Sequence, residues 1–185
     1  KPPFNPKKKA TQVNPVVLSE TKIGETTYDL QSNGSVANRC VLNANGTVQA
    51  TWTFSAELNA TWDDRGAGYN YFDGTTWGAF PTARIEGPTR TGWPELVTLA
   101  NGTEVVISHA PALNALIMST RNPYGSGTWD VNPLTVLSPN SALWPRAVAG
   151  GADGNTIHLI AHDPSTSSTN AMIYYSRSLD GGVTW

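Results

Sequence analysis

A tryptophan-closed turn comes round three times in this chain. Asp73-Gly74-Thr75-Thr76-Trp77, Gly125-Ser126-Gly127-Thr128-Trp129 and Asp180-Gly181-Gly182-Val183-Thr184-Trp185 are spaced 52 residues (77 to 129) and then 56 (129 to 185). A fixed period of that length makes each repeat one supersecondary unit, which must bury its apolar face against its neighbours. The pieces between the turns agree. Asn38 to Thr47, Pro94 to Thr103, and Pro145 to Val148 leading to Asp153-Gly154-Asn155-Thr156 line up as a strand followed by an Asn-Gly or Asp-Gly turn. Such dipeptides supply the positive φ of a tight hairpin. Second strands are expected over Val48 to Phe54, Glu104 to His109 and Ile157 to His162. Third strands are expected over Tyr69 to Phe72, Asn114 to Ser119 and Asn170 to Ser176, and fourth strands over Thr82 to Glu86 and Leu134 to Leu137.

Four antiparallel strands in every period of about 50 residues is the pattern of a β-propeller blade. The expected fold is therefore all-β, a partial propeller over 23–185 with about three blades at 36–87, 88–138 and 139–185. The strand-like alternation Thr26 to Gln31 stands before the first blade as the fourth strands stand before the others. It is expected to close the last blade of the ring. The chain has 17 Gly, 13 Pro and seven Trp, a mix suited to short strands and tight turns. No window carries a convincing helical period, and no apolar run approaches membrane-spanning length.

Charge is unevenly spread. All five Lys fall in the first 22 residues beside one Glu, giving +4, while seven Arg oppose 13 carboxylates in the rest, giving −6. The acidic body argues against nucleic-acid binding. Residues 1–22, Pro- and Lys-rich without periodicity, read as an arm or linker. Cys40 is the single cysteine, so neither a disulfide framework nor a thiolate metal cluster is available. Its apolar surroundings in sequence make it an expected small buried hydrophobe.

The last turn, Ser178-Leu179-Asp180-Gly181-Gly182-Val183-Thr184-Trp185, has the form S-x-D-x-G-x-T-W. It resembles the Asp box of sialidase-like (BNR-repeat) β-propellers. Ser178, Asp180, Gly182, Thr184 and Trp185 would be its structural residues, with Asp180 accepting hydrogen bonds from turn amides. The two earlier turns are degenerate, with Phe72 and Tyr124 where the Asp would stand. The resemblance implies six blades, so about half a ring is present here. The remaining blades or a partner chain would cover the open blade edge. The Gly-, Asn-, Thr- and Trp-rich style with one unpaired Cys also resembles exported bacterial surface proteins of the Bacteroidetes kind. A secreted or cell-surface location, with a removed export signal, is the corresponding expectation.

Blade order sorts the loops. Hairpin turns and Asp boxes leave one face; the longer second-to-third strand and blade-to-blade connections leave the other, where function is expected. That long-loop face would gather Asp63, Arg65, Arg90, Trp93, Trp144, His109, His162 and Asp163. Aromatic planes stack on sugar rings while carboxylates and Arg take hydroxyls or an acidic group, so the expected ligand is a glycan or a protein partner. His109 and His162 fall at equivalent repeat positions, which points to blade architecture; no metal and no cofactor is expected. The sialidase resemblance carries over two residues. Arg39, ahead of its Asn-Gly-Thr turn, stands where the family has a carboxylate-binding Arg, although Cys40-Val41 replace the Ile-Pro that follows it there. Asp64, 25 residues later (39 to 64), stands where the family has its catalytic acid. The implied readings are a propeller that binds without turnover, an exo-sialidase-type glycoside hydrolase acting on terminal acidic sugars, or a structural passenger of a larger secreted assembly.

Overall fold

The computed structural model describes residues 19–32, 37–134, 142–163 and 172–185. The expected arm over 1–22 lies almost wholly outside them. Ten strands form three antiparallel sheets, and among the described residues no α-helix occurs. The first sheet holds β1 (Cys40–Leu42), β2 (Val48–Phe54) and β3 (Gly66–Phe72). The second holds β4 (Gly92–Thr98), β5 (Glu104–Ala110), β6 (Ala115–Arg121) and β7 (Asp130–Leu134). The third holds β8 (Leu143–Gly150), β9 (Thr156–Asp163) and β10 (Met172–Ser178). Within each sheet the strands follow one another in sequence order.

The turn chemistry sets these hairpins. Gly46 and Gly102 take φ of 83° and 85°. The Asn45 and Asn101 side chains accept hydrogen bonds from the Thr47 and Thr103 amides at 3.2 and 3.0 Å. The third copy uses Asp153, which accepts from the Asn155 amide at 3.0 Å. Neighbouring turns then bond to one another, Ala100 N–H donating to the Gly154 carbonyl at 3.1 Å.

Sheet packs on sheet through alternate residues of each strand. Val97, Val105, Ile107, Leu116 and Met118 of the second sheet meet Ala147, Ile157, Leu159 and Ala161 of the third. A smaller cluster, Ala67 with Leu96 and Val106, joins the first sheet to the second. Each buried aliphatic side chain contributes about 1.5–3 kcal/mol, so the larger cluster dominates cohesion.

Three expectations need correction. Residues 26–31 do not form a strand. The Gln31 carboxamide instead imitates a strand partner for β2, accepting from Thr53 N–H at 3.0 Å and donating to the Thr53 carbonyl at 2.9 Å. Residues 82–86 are likewise no strand. Only Ile85 N–H to the Ala67 carbonyl survives of a ladder, because Arg84 folds the chain into a turn by bonding Gly87 and Pro88 carbonyls. Cys40 is exposed, since β1 is an edge strand and Cys40 lies on its uncovered side. The fourth strand of the second sheet begins earlier than expected, at Asp130; residues 135–137 of that expectation, and the loop at 164–171, lie outside the described residues.

Candidate functional site

Two ends of the sheets differ in chemistry. At the tight-turn end, Asp180 accepts from Ser178 Oγ at 2.7 Å, Thr184 N–H at 2.8 Å and Thr184 Oγ at 2.5 Å. These bonds hold its carboxyl near pKa 2. Gly181 and Gly182 have φ of 73° and 104°, and the Trp185 indole donates to the Gly182 carbonyl at 3.1 Å. The first turn reaches a similar state with a shifted residue: Asp73 accepts from the Thr75 and Thr76 amides at 2.7 and 2.8 Å. The turns at 43–47 and 99–103 lie at this same end, joined by Asn45 Nδ2–H to the Tyr124 hydroxyl and Tyr124 N–H to the Gly102 carbonyl, each 3.0 Å.

The long-loop end carries a row of rings. Trp62 packs edge-on to Tyr28 at 5.3 Å, and Tyr28 to Trp93 at 5.8 Å. The row continues from Trp93 to His109 at 4.6 Å, His109 to Trp144 at 6.0 Å and Trp144 to His162 at 5.3 Å. It runs from the loop between β2 and β3 across the second and third sheets. Trp93 and Trp144 stand at the bulges that shift the β4–β5 and β8–β9 registers. Both adopt φ of 49°, left-handed and uncommon for a bulky residue. That backbone turn aims each amide at the preceding sheet: Trp93 N–H donates to Thr53 Oγ at 3.2 Å, and Trp144 N–H to His109 Nδ1 at 3.3 Å.

Arg65 is the cation inside this row. It is buried, donates to the Thr91 carbonyl at 2.9 Å and the Tyr28 hydroxyl at 3.1 Å, and lies 4.6 Å over the Trp93 ring. Arg90 donates to the Trp62 and Thr61 carbonyls at 2.9 and 2.7 Å. The Asp63 side chain accepts from Thr61 Oγ at 3.0 Å, and Asp163 is buried. Burial holds His109 neutral, with its pKa depressed to about 3. Of the eight expected ligand-binding residues, Arg65, Trp93, His109, Trp144 and His162 thus share one row, with Arg90 bonded to its Trp62 end.

Arg39 and Asp64 are not brought together by any shared partner. Asp64 accepts from Ser55 Oγ and from the Ala56 and Glu57 amides, at 2.6 and 3.2 Å for the amides. These bonds lower its pKa below the ordinary carboxylate value although desolvation opposes them. It is a loop-organising carboxylate held in the charged form. Arg39 donates to the Gln31 side chain at 2.8 Å and to the Gln31 carbonyl. Desolvation, then repulsion from Arg146, lowers its pKa to about 10.

Arg146 and Glu95 went unremarked in the sequence, yet the three aligned repeats place Arg39, Glu95 and Arg146 in one column. Arg39 directly precedes β1, Glu95 lies on β4 and Arg146 on β8, and Glu95 and Arg146 line a cavity of about 650 Å³ together with Asn38. Glu95 accepts from the Asn38 and Ala147 amides at 2.9 and 3.2 Å and sits 4.0 Å from the Arg146 guanidinium. Desolvation raises its pKa. Two cations around one carboxylate leave the column net positive. Among the described residues no three metal-ligating side chains converge, and no helix is long and apolar enough to cross a membrane.

The class these features define is an all-β protein of stacked antiparallel sheets. No protein-family model and no curated protein matches the chain. Among solved structures it is similar to a protein of unknown function from Dyadobacter fermentans, with a TM-score of 0.51 and 12% identity. That likeness covers 68% of this chain and 33% of the neighbour, so the chain spans about a third of the neighbour's length. At such identity it speaks for the fold alone.

Proposed function

We propose that this chain is part of a sialidase-like β-propeller, secreted or displayed at a cell surface, whose long-loop face binds an acidic glycan without turning it over. One observation carries the reading: a continuous row of rings adjoins a net-positive column, Trp93 and Trp144 each standing two residues before Glu95 and Arg146. Rings offer stacking planes to sugars, and guanidinium groups take a carboxylate. The propeller reading draws support from the repeat, the Asp-box bonds of Asp180 and the separation of tight turns from long loops. The absence of turnover rests on Asp64. A general acid must hold its proton near the working pH, whereas hydrogen bonds within its own loop keep this carboxyl ionised.

The test is calorimetric titration with sialyllactose and with lactose, alongside a fluorogenic sialoside. Binding of the acidic sugar only, quenching of tryptophan emission, weakening by Arg146→Ala and no fluorophore release are expected. Release that Asp64→Ala abolishes would replace this reading with the exo-sialidase one. Binding of neither sugar would leave a protein partner or a structural passenger role.

A further inference from the structure

Trp129 and Trp185 close equivalent turns, yet the clefts beside them are built differently. Val48 pairs with Phe72 and Thr51 with Tyr69, as Glu104 pairs with Arg121 and Ile107 with Met118. Met118 therefore stands where the first sheet has Tyr69. Beside Trp129 the cleft is full. Tyr69 meets the Trp129 ring edge-on at 5.2 Å, and the Arg121 guanidinium lies 4.7 Å from the Tyr69 centroid and 4.3 Å from that of Trp129. Glu104 balances this cation, accepting from Arg121 Nε and from the Tyr69 hydroxyl. A carboxylate thus holds a guanidinium against an indole.

Beside Trp185 the indole and a carboxylate are present without the guanidinium. Where the second sheet pairs Glu104 with Arg121, the third pairs Ile157 with Ser178. Met118 lacks the ring of Tyr69, and a cavity of about 410 Å³ opens between Met118 and Trp185. Its carboxylate comes from β7. Asn132 stands across from Met118, and Asp130 across from Thr120. Asp130, Asn132 and the buried Leu134 alternate along one face of the strand. Asp130 and Asn132 are exposed and line the cavity, and among the described residues that line it none is cationic. The acidic body, with seven Arg against 13 carboxylates beyond residue 22, favours a cation there.

We propose that this cleft binds a guanidinium-bearing ligand, its planar head lying on the Trp185 ring and bonded to the Asp130 carboxylate. The ligand supplies in this cleft what Arg121 supplies beside Trp129. A guanidinium suits both partners, since it stacks on an aromatic face and bonds a carboxylate in a bidentate fork. The site lies at the tight-turn end and stands whether or not the long-loop face binds glycan. The test is NMR titration of the 185-residue chain at low salt, following the Trp185 indole N–H resonance, assigned by its loss in Trp185→Phe. The probes are agmatine, N-acetylarginine N-methylamide and N-acetylcitrulline N-methylamide. The first two should shift the resonance, and the citrulline compound, of the same shape without the charge, should not. A shift by agmatine alone assigns the site to a free cation; a shift by both extends it to an arginine side chain. Asp130→Asn, at an exposed position that leaves the fold intact, should weaken agmatine about fivefold. Met118→Tyr, which restores the ring found beside Trp129, should abolish the shift. An unmoved Trp185 resonance, equal affinity in Asp130→Asn, or an equal shift with the citrulline compound overturns the proposal.

Discussion

The tight-turn end and the long-loop end of this molecule are stabilised in opposite ways. At the tight-turn end, exposed Asp and Asn side chains satisfy amides two to four residues away, as Asp180 does for Thr184 and Asn101 for Thr103. At the long-loop end, partners are remote in sequence: Arg65 reaches Tyr28 and Thr91, and His109 receives the Trp144 amide. Local bonds are replaceable by water and cheap to lose. A buried cation among rings, or a buried imidazole, has no such substitute.

Acid should separate the two ends most strongly. His109 has a folded pKa of about 3 against an unfolded value of about 6.5. The unfolded chain therefore binds the proton first, and stability falls as pH drops from about 6.5 toward 3. The loss is on the order of 4–5 kcal/mol, each factor of ten in proton affinity being worth about 1.4 kcal/mol. Urea denaturation across that range should show a steep slope that His109→Gln flattens; equal slopes would mean the imidazole is solvated.

Arg65→Ala comes next, with an expected loss of about 3 kcal/mol from charged hydrogen bonds and cation–π contact. An unchanged urea midpoint would remove Arg65 as the clamp of the ring row. Asp180→Asn should have a smaller effect and the opposite local signature. Its folded pKa of about 2 lies below the ordinary carboxylate value, so its contribution is complete above about pH 4 and disappears as pH falls through 2. The variant should lose melting temperature at pH 7 and match wild type below pH 2. The smallest effect belongs to Cys40: a maleimide should label it quantitatively in the native state, and Cys40→Ser should move stability by less than about 0.5 kcal/mol.

The same contrast explains how much of the molecule could be read without coordinates. The hairpins at Asn45-Gly46 and Asn101-Gly102, the strands between them and the Asp180 turn were legible, because a turn's φ and its capping bond lie within a few residues. The gathering of Trp93, His109 and Trp144 at one end was legible too, since the repeat fixes which loops share an end. Arg39 and Asp64 were placed by analogy, and their partners Gln31 and Ser55 lie on segments whose path no local pattern announced. Residues 26–31 alternate like a strand, yet the Gln31 carboxamide binds the β2 backbone in a strand's place. Cys40 has apolar neighbours in sequence, but its strand lies at an edge.

By itself, then, the sequence determined the all-β character, the period of three sheets and the chemistry of every short turn, since these depend on backbone preferences and nearest neighbours. Tertiary structure alone decided that Asp64 serves its loop, that Arg65 is a buried clamp, and that Glu95 and Arg146 share a cavity. Burial, desolvation and hydrogen bonds between residues tens of positions apart set those roles, and such quantities exist only once the sheets have packed.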